Sequence, residues 1–177
     1  MRAVIQRVQS ASVAVDGAIV SAINRGLLVL VGVEIGDTTA DCDVIASKIA
    51  NLRIFPSPAS AIVTPTESES SGASTPSASG ESTKLDKQWD KSVVAIDGEI
   101  LCISQFTLLA SVKKNKPSFH HAERPPVANE LYERVMDNLR SAFGENRDHK
   151  VKPGVFGAYM QVSLVNDGPV TIEFASR

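Results

Sequence analysis

Apolar and polar side chains alternate over residues 2–9 and again over 12–23, the period of half-buried strands. Asp16-Gly17 interrupts the second run and suits a two-residue hairpin turn. Residues 26–35, GLLVLVGVEI, abandon the alternation and are almost continuously apolar and β-rich, which predicts a central strand covered on both faces. The period then changes. Asp37, Thr38 and Thr39 offer N-caps for a helix to about Leu52, with Ile45, Ile49 and Leu52 on one face, and residues 52–55 extend briefly beyond it. Residues 92–96 and 99–108 read as a hairpin about Asp97-Gly98. Pro125 and Pro126 suit the start of a second helix, whose stripe of Ala128, Leu131, Val135, Leu139, Ala142 and Phe143 ends before Gly144. Residues 155–165 and 170–174 read as two strands joined at Asn166-Asp167-Gly168-Pro169. The class is α+β, sheet-dominated, with two main helices.

One stretch does not fit. Residues 57–84 contain 18 Ser, Thr, Pro or Gly in 28 positions, with Ile62 and Val63 as the only sizeable apolar groups. Burial there cannot offset the entropy of ordering, so a solvated insertion within a single domain of residues 1–177 is expected. Charge agrees: residues 1–55 carry five basic and five acidic groups and residues 92–177 ten of each, so the net −2 resides between them. The whole chain is 43% apolar, and 177 residues suffice to bury roughly 70% of the extended surface. No apolar run approaches the ~20 residues of a membrane span and no signal-peptide block opens the chain, so a cytosolic protein without membrane partners is expected. Cys42 and Cys102 lie in apolar-periodic stretches and read as small buried thiols.

Candidate chemistry starts from absences. The chain has no phosphate-cradling Gly-rich loop, Cys-x-x-Cys, His-Glu-x-x-His or Gly-x-Ser-x-Gly, which argues against common cofactors. His120-His121 does not read as a metal site, because adjacent side chains on an extended segment diverge. Residues 111–124 hold four basic groups and one acid; Lys113, Lys114 and Lys116 are either a solvated loop or a set of phosphate contacts. In residues 102–109, CISQFTLL, alternation puts Gln105 and Thr107 on one face and Ser104 and Phe106 on the other, polar groups in a strand otherwise apolar. In residues 165–171, VNDGPVT, Gly168 is free in φ and precedes Pro169 across the one kind of peptide bond that tolerates cis.

Together, SQFTL at 104–108 and NDGPVT at 166–171 resemble the paired signatures of the D-aminoacyl-tRNA deacylases. The likeness extends in order through MRAVIQRV at the start, GLLVLVGV at 26–33, LRIF at 52–55, KPSF at 116–119 and GVFGAYMQV at 154–162. The departure is the 57–84 insertion, where the family crosses to the segment matching Trp89–Val93 by a shorter loop. The resemblance implies barrel-like antiparallel and mixed sheets, no cofactor and no metal. It further implies a homodimer with active sites at the subunit interface, cleaving the ester between a D-amino acid, or glycine, and the 3′-terminal adenosine of tRNA. Ser104, Gln105, Phe106 and Thr107 would line the ester, and Gly168-Pro169, with Asn166 beside it, would be a cis dipeptide reaching into the partner's pocket, steadied by Arg7. Phe156 and Met160 would hold the adenine.

Because an aminoacyl ester beside a free hydroxyl is already labile, positioning and oxyanion stabilisation carry most of the catalysis. Neither signature supplies a base for Thr107. Water attack assisted by the RNA 2′-hydroxyl is therefore preferred to a Thr107 acyl-enzyme. Two alternatives stand at this point: a module of the same fold that binds the tRNA end without cleaving it, and a related L-aminoacyl-tRNA editing deacylase.

Overall fold

The computed structural model describes residues 1–57 and 88–177; the 57–84 segment, apart from Ser57, lies outside the described residues. The first strand, β1 (Arg2–Val15), does not break at Ser10 as the alternation suggests but runs unbroken, because one partner spans it. That partner is the last strand, numbered β8 (Gln161–Ala175), whose antiparallel register runs from Arg2↔Ala175 to Ala14↔Gln161. On its other edge β1 pairs β2 (Ala18–Ile23) through Ala11–Val15 and β3 (Gly26–Gly32) through Arg2–Val8. Asp16 and Gly17 both have positive φ, as the hairpin turn requires.

β3 is the central strand that its apolar run predicts. It lies parallel to β4 (Glu99–Ser104), which is in turn parallel to the short β7 (Val151–Pro153). A parallel neighbour needs a crossover, and α1 (Thr39–Asn51) occupies it. The expected hairpin over 92–96 and 99–108 does not form: residues 93–97 wind into turns closed by Gly98 N–H to the Val93 carbonyl, burying Val93, and β4 pairs with β3 instead. At Gly26 a Cβ would lie 1.8 Å from the Glu99 carbonyl oxygen, so only glycine permits this approach of β3 to β4. The sheet curls, bringing β2 beside β7, where Ser21 Oγ donates to the Pro153 carbonyl (2.6 Å) and Lys152 Nζ to the Ala22 carbonyl (2.6 Å). The result is the barrel-like, sheet-dominated α+β architecture expected.

Both faces of the central strands are covered. Leu27, Val29, Val31, Ile100 and Cys102 pack against Ile45 and Ile49 of α1 and against Tyr132, Val135 and Leu139 of α2 (Val127–Ser141). The alternate residues Leu28, Leu101 and Ile103 join Val8, Ala11 and Val13 inside the curl. The α2 stripe differs from expectation at three places: Tyr132 and Met136 are buried and Ala142 is exposed. Tyr132 tolerates burial because its hydroxyl donates to the Cys102 carbonyl (2.8 Å). A short hairpin, β5 (Ser111–Lys113) and β6 (Lys116–Ser118), turns at Lys114-Asn115, and a four-residue helix, α3 (Arg147–Lys150), precedes β7. Both cysteines are buried and free, and burial pushes the thiols up, Cys42 to about 11 and Cys102 to about 12. No helix among the described residues is long and apolar enough to cross a membrane.

The N-terminus of α1 is tied to the C-terminal end of the chain. Asp41 accepts from Ser176 Oγ (2.7 Å) and from the Thr38 backbone N–H (2.9 Å), and Arg177 Nε lies 3.3 Å away. These donors, the Ser176 hydroxyl foremost, hold the Asp41 carboxyl at about 2. A carboxyl lowered on folding stabilises the native state above its unfolded value near 3.8 and loses that contribution as pH falls through about 2. Asp41→Asn is therefore expected to destabilise the protein at pH 7 by on the order of 1 kcal/mol and to flatten the loss of stability between about pH 4 and 2. Urea titrations of both proteins at pH 7 and pH 3 read this; equal slopes would refute it.

Candidate active site

β4 ends at Ser104: the Gln105 N–H still reaches the Val31 carbonyl of β3 (2.7 Å), and residues Phe106–Leu109 then close into a 3-10 turn. The segment is thus not strand throughout, and the face assignment drawn from alternation fails beyond Ser104. Within the turn, Leu108 N–H donates to Gln105 O (3.3 Å) and Ala110 N–H to Thr107 O (3.1 Å). Among the described residues, the backbone N–H groups of Phe106 and Thr107 meet no acceptor, as at the start of any helical turn. Gln105 Nε2 donates to Thr107 Oγ1, leaving the Thr107 hydroxyl proton available to another acceptor. The turn is seated on Gly32, where a Cβ would lie 2.3 Å from Leu109 Cδ2 and 2.9 Å from the Gln105 carbonyl oxygen.

These residues form one wall of a cleft of about 750 Å³. Phe156 and Met160 line it too, half-buried, from the turn that occupies 155–160 in place of the expected strand. The Phe156 ring lies 5.9 Å from that of Tyr132, and the Val155 N–H points at Met160 Sδ (3.4 Å). The cleft therefore holds two polarised amides, a hydroxyl and an aromatic–thioether pair, a set able to orient a carbonyl beside a planar base.

Sequence reasoning missed several walls. Phe119 packs edge-on to Phe106 at 5.1 Å between ring centres, and Tyr159 stands 87% exposed at the cleft. His120 and Glu123 also line it. Residues 120 and 121 turn rather than extend, so the two imidazoles stack at 3.9 Å instead of diverging; His120 Nδ1 lies 2.9 Å from Ser118 Oγ. Neither His120 nor Glu123 is hydrogen-bonded to Thr107. Among the described residues no group of three His, Cys, Asp or Glu side chains converges as a metal site would require.

The remaining candidates lie elsewhere. Residues 161–175 form one strand, so Asn166–Pro169 is not a turn joining two; Asp167, Gly168 and Pro169 bulge out of the ladder between the pairs Val8↔Asn166 and Arg7↔Val170. The Gly168-Pro169 bond is cis and Gly168 has φ +126. Arg7 holds the bulge: its Nε donates to the Asp167 carbonyl (3.1 Å) and lies 3.2 Å from the Asp167 carboxylate, while Nη1 donates to the Ile54 carbonyl. The guanidinium sits 6.0 Å from the centres of the Phe55 and Trp89 rings. Arg7, Trp89, Gly168 and Pro169 border a second hollow of about 380 Å³. Asn166 is exposed beside it. Val162 lines the cleft, and Gly168 follows six residues later on the same strand, roughly 15–20 Å away. Within one chain, then, the two signatures do not meet.

Comparison with known proteins identifies the family. A family model described as D-Tyr-tRNA(Tyr) deacylase matches residues 4–69 and 80–175. The unmatched part, 70–79, is narrower than the 57–84 stretch marked by composition. The chain is 45% identical over its full length to the D-aminoacyl-tRNA deacylase of Yarrowia lipolytica, covering 98% of that protein. It is 43% identical over 99% of its length to D-aminoacyl-tRNA deacylase 1 of Bos taurus, covering 70% of that one. A solved structure titled c-Myc DNA Unwinding Element Binding Protein superimposes over 100% of this chain and 99% of its own with a TM-score of 0.80 at 40% identity. Another, of a probable eukaryotic D-amino acid tRNA deacylase, shares the fold at a TM-score of 0.71 and 18% identity, covering 98% and 97%. With a model matching almost from end to end, and full-length relatives above 40% identity, the chain belongs to the D-Tyr-tRNA(Tyr) deacylase family.

Proposed function

We propose that this chain hydrolyses the ester joining a D-amino acid to the 3′-terminal adenosine of tRNA, and that a second copy of the chain completes each site. The observation that carries the reading is the division of the two signatures. Ser104–Thr107 line the cleft, the Arg7-anchored Asp167-Gly168-Pro169 bulge stands outside it, and β8 connects the two. Between them Val162, Leu164 and Val165 leave apolar surface exposed, and β8 is hydrogen-bonded along one edge only, to β1. A two-fold contact through this strand buries that surface and delivers each bulge to the other copy's cleft.

In the assembled site the terminal adenine lies between Phe156 and Met160, and the ester carbonyl faces the Phe106 and Thr107 N–H groups. Water attacks the carbonyl carbon, with the neighbouring 2′-hydroxyl of the RNA relaying its proton, and the two amides hold the oxyanion. The bond from the carbonyl carbon to the 3′-oxygen then breaks and that oxygen takes the proton, leaving free tRNA and an amino acid. The Thr107 hydroxyl, fixed by Gln105, positions the ester. Chirality is read by exclusion: the bulge backbone occupies the volume an L side chain needs, while a D side chain points away and glycine has none.

Three substrates test this together. D-tyrosyl-tRNA is expected to lose its ester at least tenfold faster than L-tyrosyl-tRNA, and a D-substrate ending in 2′-deoxyadenosine to resist almost completely. Thr107→Ala keeps roughly a tenth of the rate on this mechanism. An inactive Thr107→Ala, together with a trapped acyl-Thr107, would establish covalent catalysis instead; binding of either tRNA without ester loss would refute the enzymatic reading.

Arg7→Ala removes both ties to Asp167. It is expected to cost roughly 1–3 kcal/mol of stability and to lower the D-substrate rate, and with it the D-over-L ratio, about tenfold, with Arg7→Lys between. Mixed and refolded with Thr107→Ala, it should regain activity, because half of the hybrid dimers' sites unite an intact cleft with an intact bulge. Failure of any mixture to exceed its components would place both signatures in one subunit's site.

A further inference from the structure

The β5–β6 hairpin buries little and breaks local rules. Val112 is 67% exposed, and all three lysines are exposed. Lys113 stands directly opposite Lys116 in the cross-strand register, where like charges repel. At the turn, Lys114 and Asn115 both take positive φ, 49° and 61°, a geometry for which Asn-Gly is the preferred pair and lysine is a poor choice. Among the described residues no carboxylate pairs with Lys113, Lys114 or Lys116, whereas Lys150 and Lys152 each have one. A two-stranded ribbon this short gains nothing in stability from such a sequence. Its placement is specific. It follows the 3-10 turn of Thr107 by two residues, and Phe119, leaving β6, packs on Phe106 inside the cleft.

We propose that this hairpin is an arm that grips the phosphates of the single-stranded RNA leading into the cleft, resting on the reading that a tRNA 3′ end is the substrate. Three strand residues at ~3.3 Å each carry the lysines about 10 Å from the cleft rim, within reach of the first phosphates upstream of the terminal nucleotide. An RNA backbone threading past the turn brings negative charge between Lys113 and Lys116 and relieves their repulsion. Phosphate contacts carry no sequence information, so the arm serves tRNAs of any identity. It adds affinity, not chemistry.

The test pairs a long and a short substrate. With all three lysines changed to Ala, KM for D-tyrosyl-tRNA should rise on the order of tenfold at low salt. The dependence of log K on log salt for that tRNA should flatten by about 2. Cleavage of 3′-O-(D-tyrosyl)adenosine, which has no phosphate, should stay unchanged, as should the D-over-L ratio. The triple Lys→Arg variant should bind like wild type. An unchanged salt slope would make the hairpin a solvated loop, and equal losses on both substrates would make it a support of the cleft. If the unaltered protein cleaves neither substrate, the deacylase reading fails while the salt slope of tRNA binding still decides the arm.

Discussion

The antiparallel ladder between β1 and β8 ties residues 2–15 to 161–175 and sets the spacing of the two candidate site segments. Its near-continuous register gives β1 a partner across a stretch where its other edge changes from β3 to β2, so a fourteen-residue strand survives a change of neighbour. The same ladder fixes Val162 at the cleft and the Asp167–Pro169 bulge far from it. Because strands resist extension and compression, that separation cannot be closed by a local rearrangement. The bulge itself is pinned where the ladder slips register, by a guanidinium that reaches both the carbonyl and the carboxylate of Asp167. A planar guanidinium, with Nε turned to Asp167 and Nη1 to the Ile54 carbonyl, suits this task better than a flexible ammonium.

The wall formed by Gln105–Thr107 carries an amide side chain and a hydroxyl joined by a hydrogen bond, on a turn that forms only because Gly32 leaves space beneath Leu109. Fixed dipoles in a half-enclosed site need no reorganisation when charge develops on a carbonyl oxygen. Such a site suits a substrate whose ester is already activated. The buried thiols of Cys42 and Cys102, pushed up to about 11 and 12, take no part and behave as packing groups.

Much of this was legible in the order of residues, wherever the signal is local. Periods of two and 3.6 located β1, β3, α1 and α2; Asp16-Gly17 located the first turn; and the uninterrupted apolar run of 26–32 marked β3 as central, because only a strand covered on both faces can afford it. The two candidate site segments stood out through family resemblance: by polarity and flexibility alone SQFT reads as a strand end and NDGP as a turn. Illegible were the features that depend on partners distant in sequence. Residues 92–96 are as β-rich as a strand, yet β4 pairs in parallel with β3 and leaves them to turn. Asn166–Pro169 has the composition of a hairpin loop, but β1 runs past it on one side and makes it a bulge. Alternation through Thr107 fails because Phe106–Leu109 close into a 3-10 turn over Gly32, and Tyr132 joins the core only because the Cys102 carbonyl awaits its hydroxyl. Local periodicity and turn chemistry therefore dictated most of the elements and their buried faces. Pairing between segments far apart in the chain, which no local pattern encodes, decided the bulge, the seating of the SQFT turn and the distance that keeps the two segments apart in one chain.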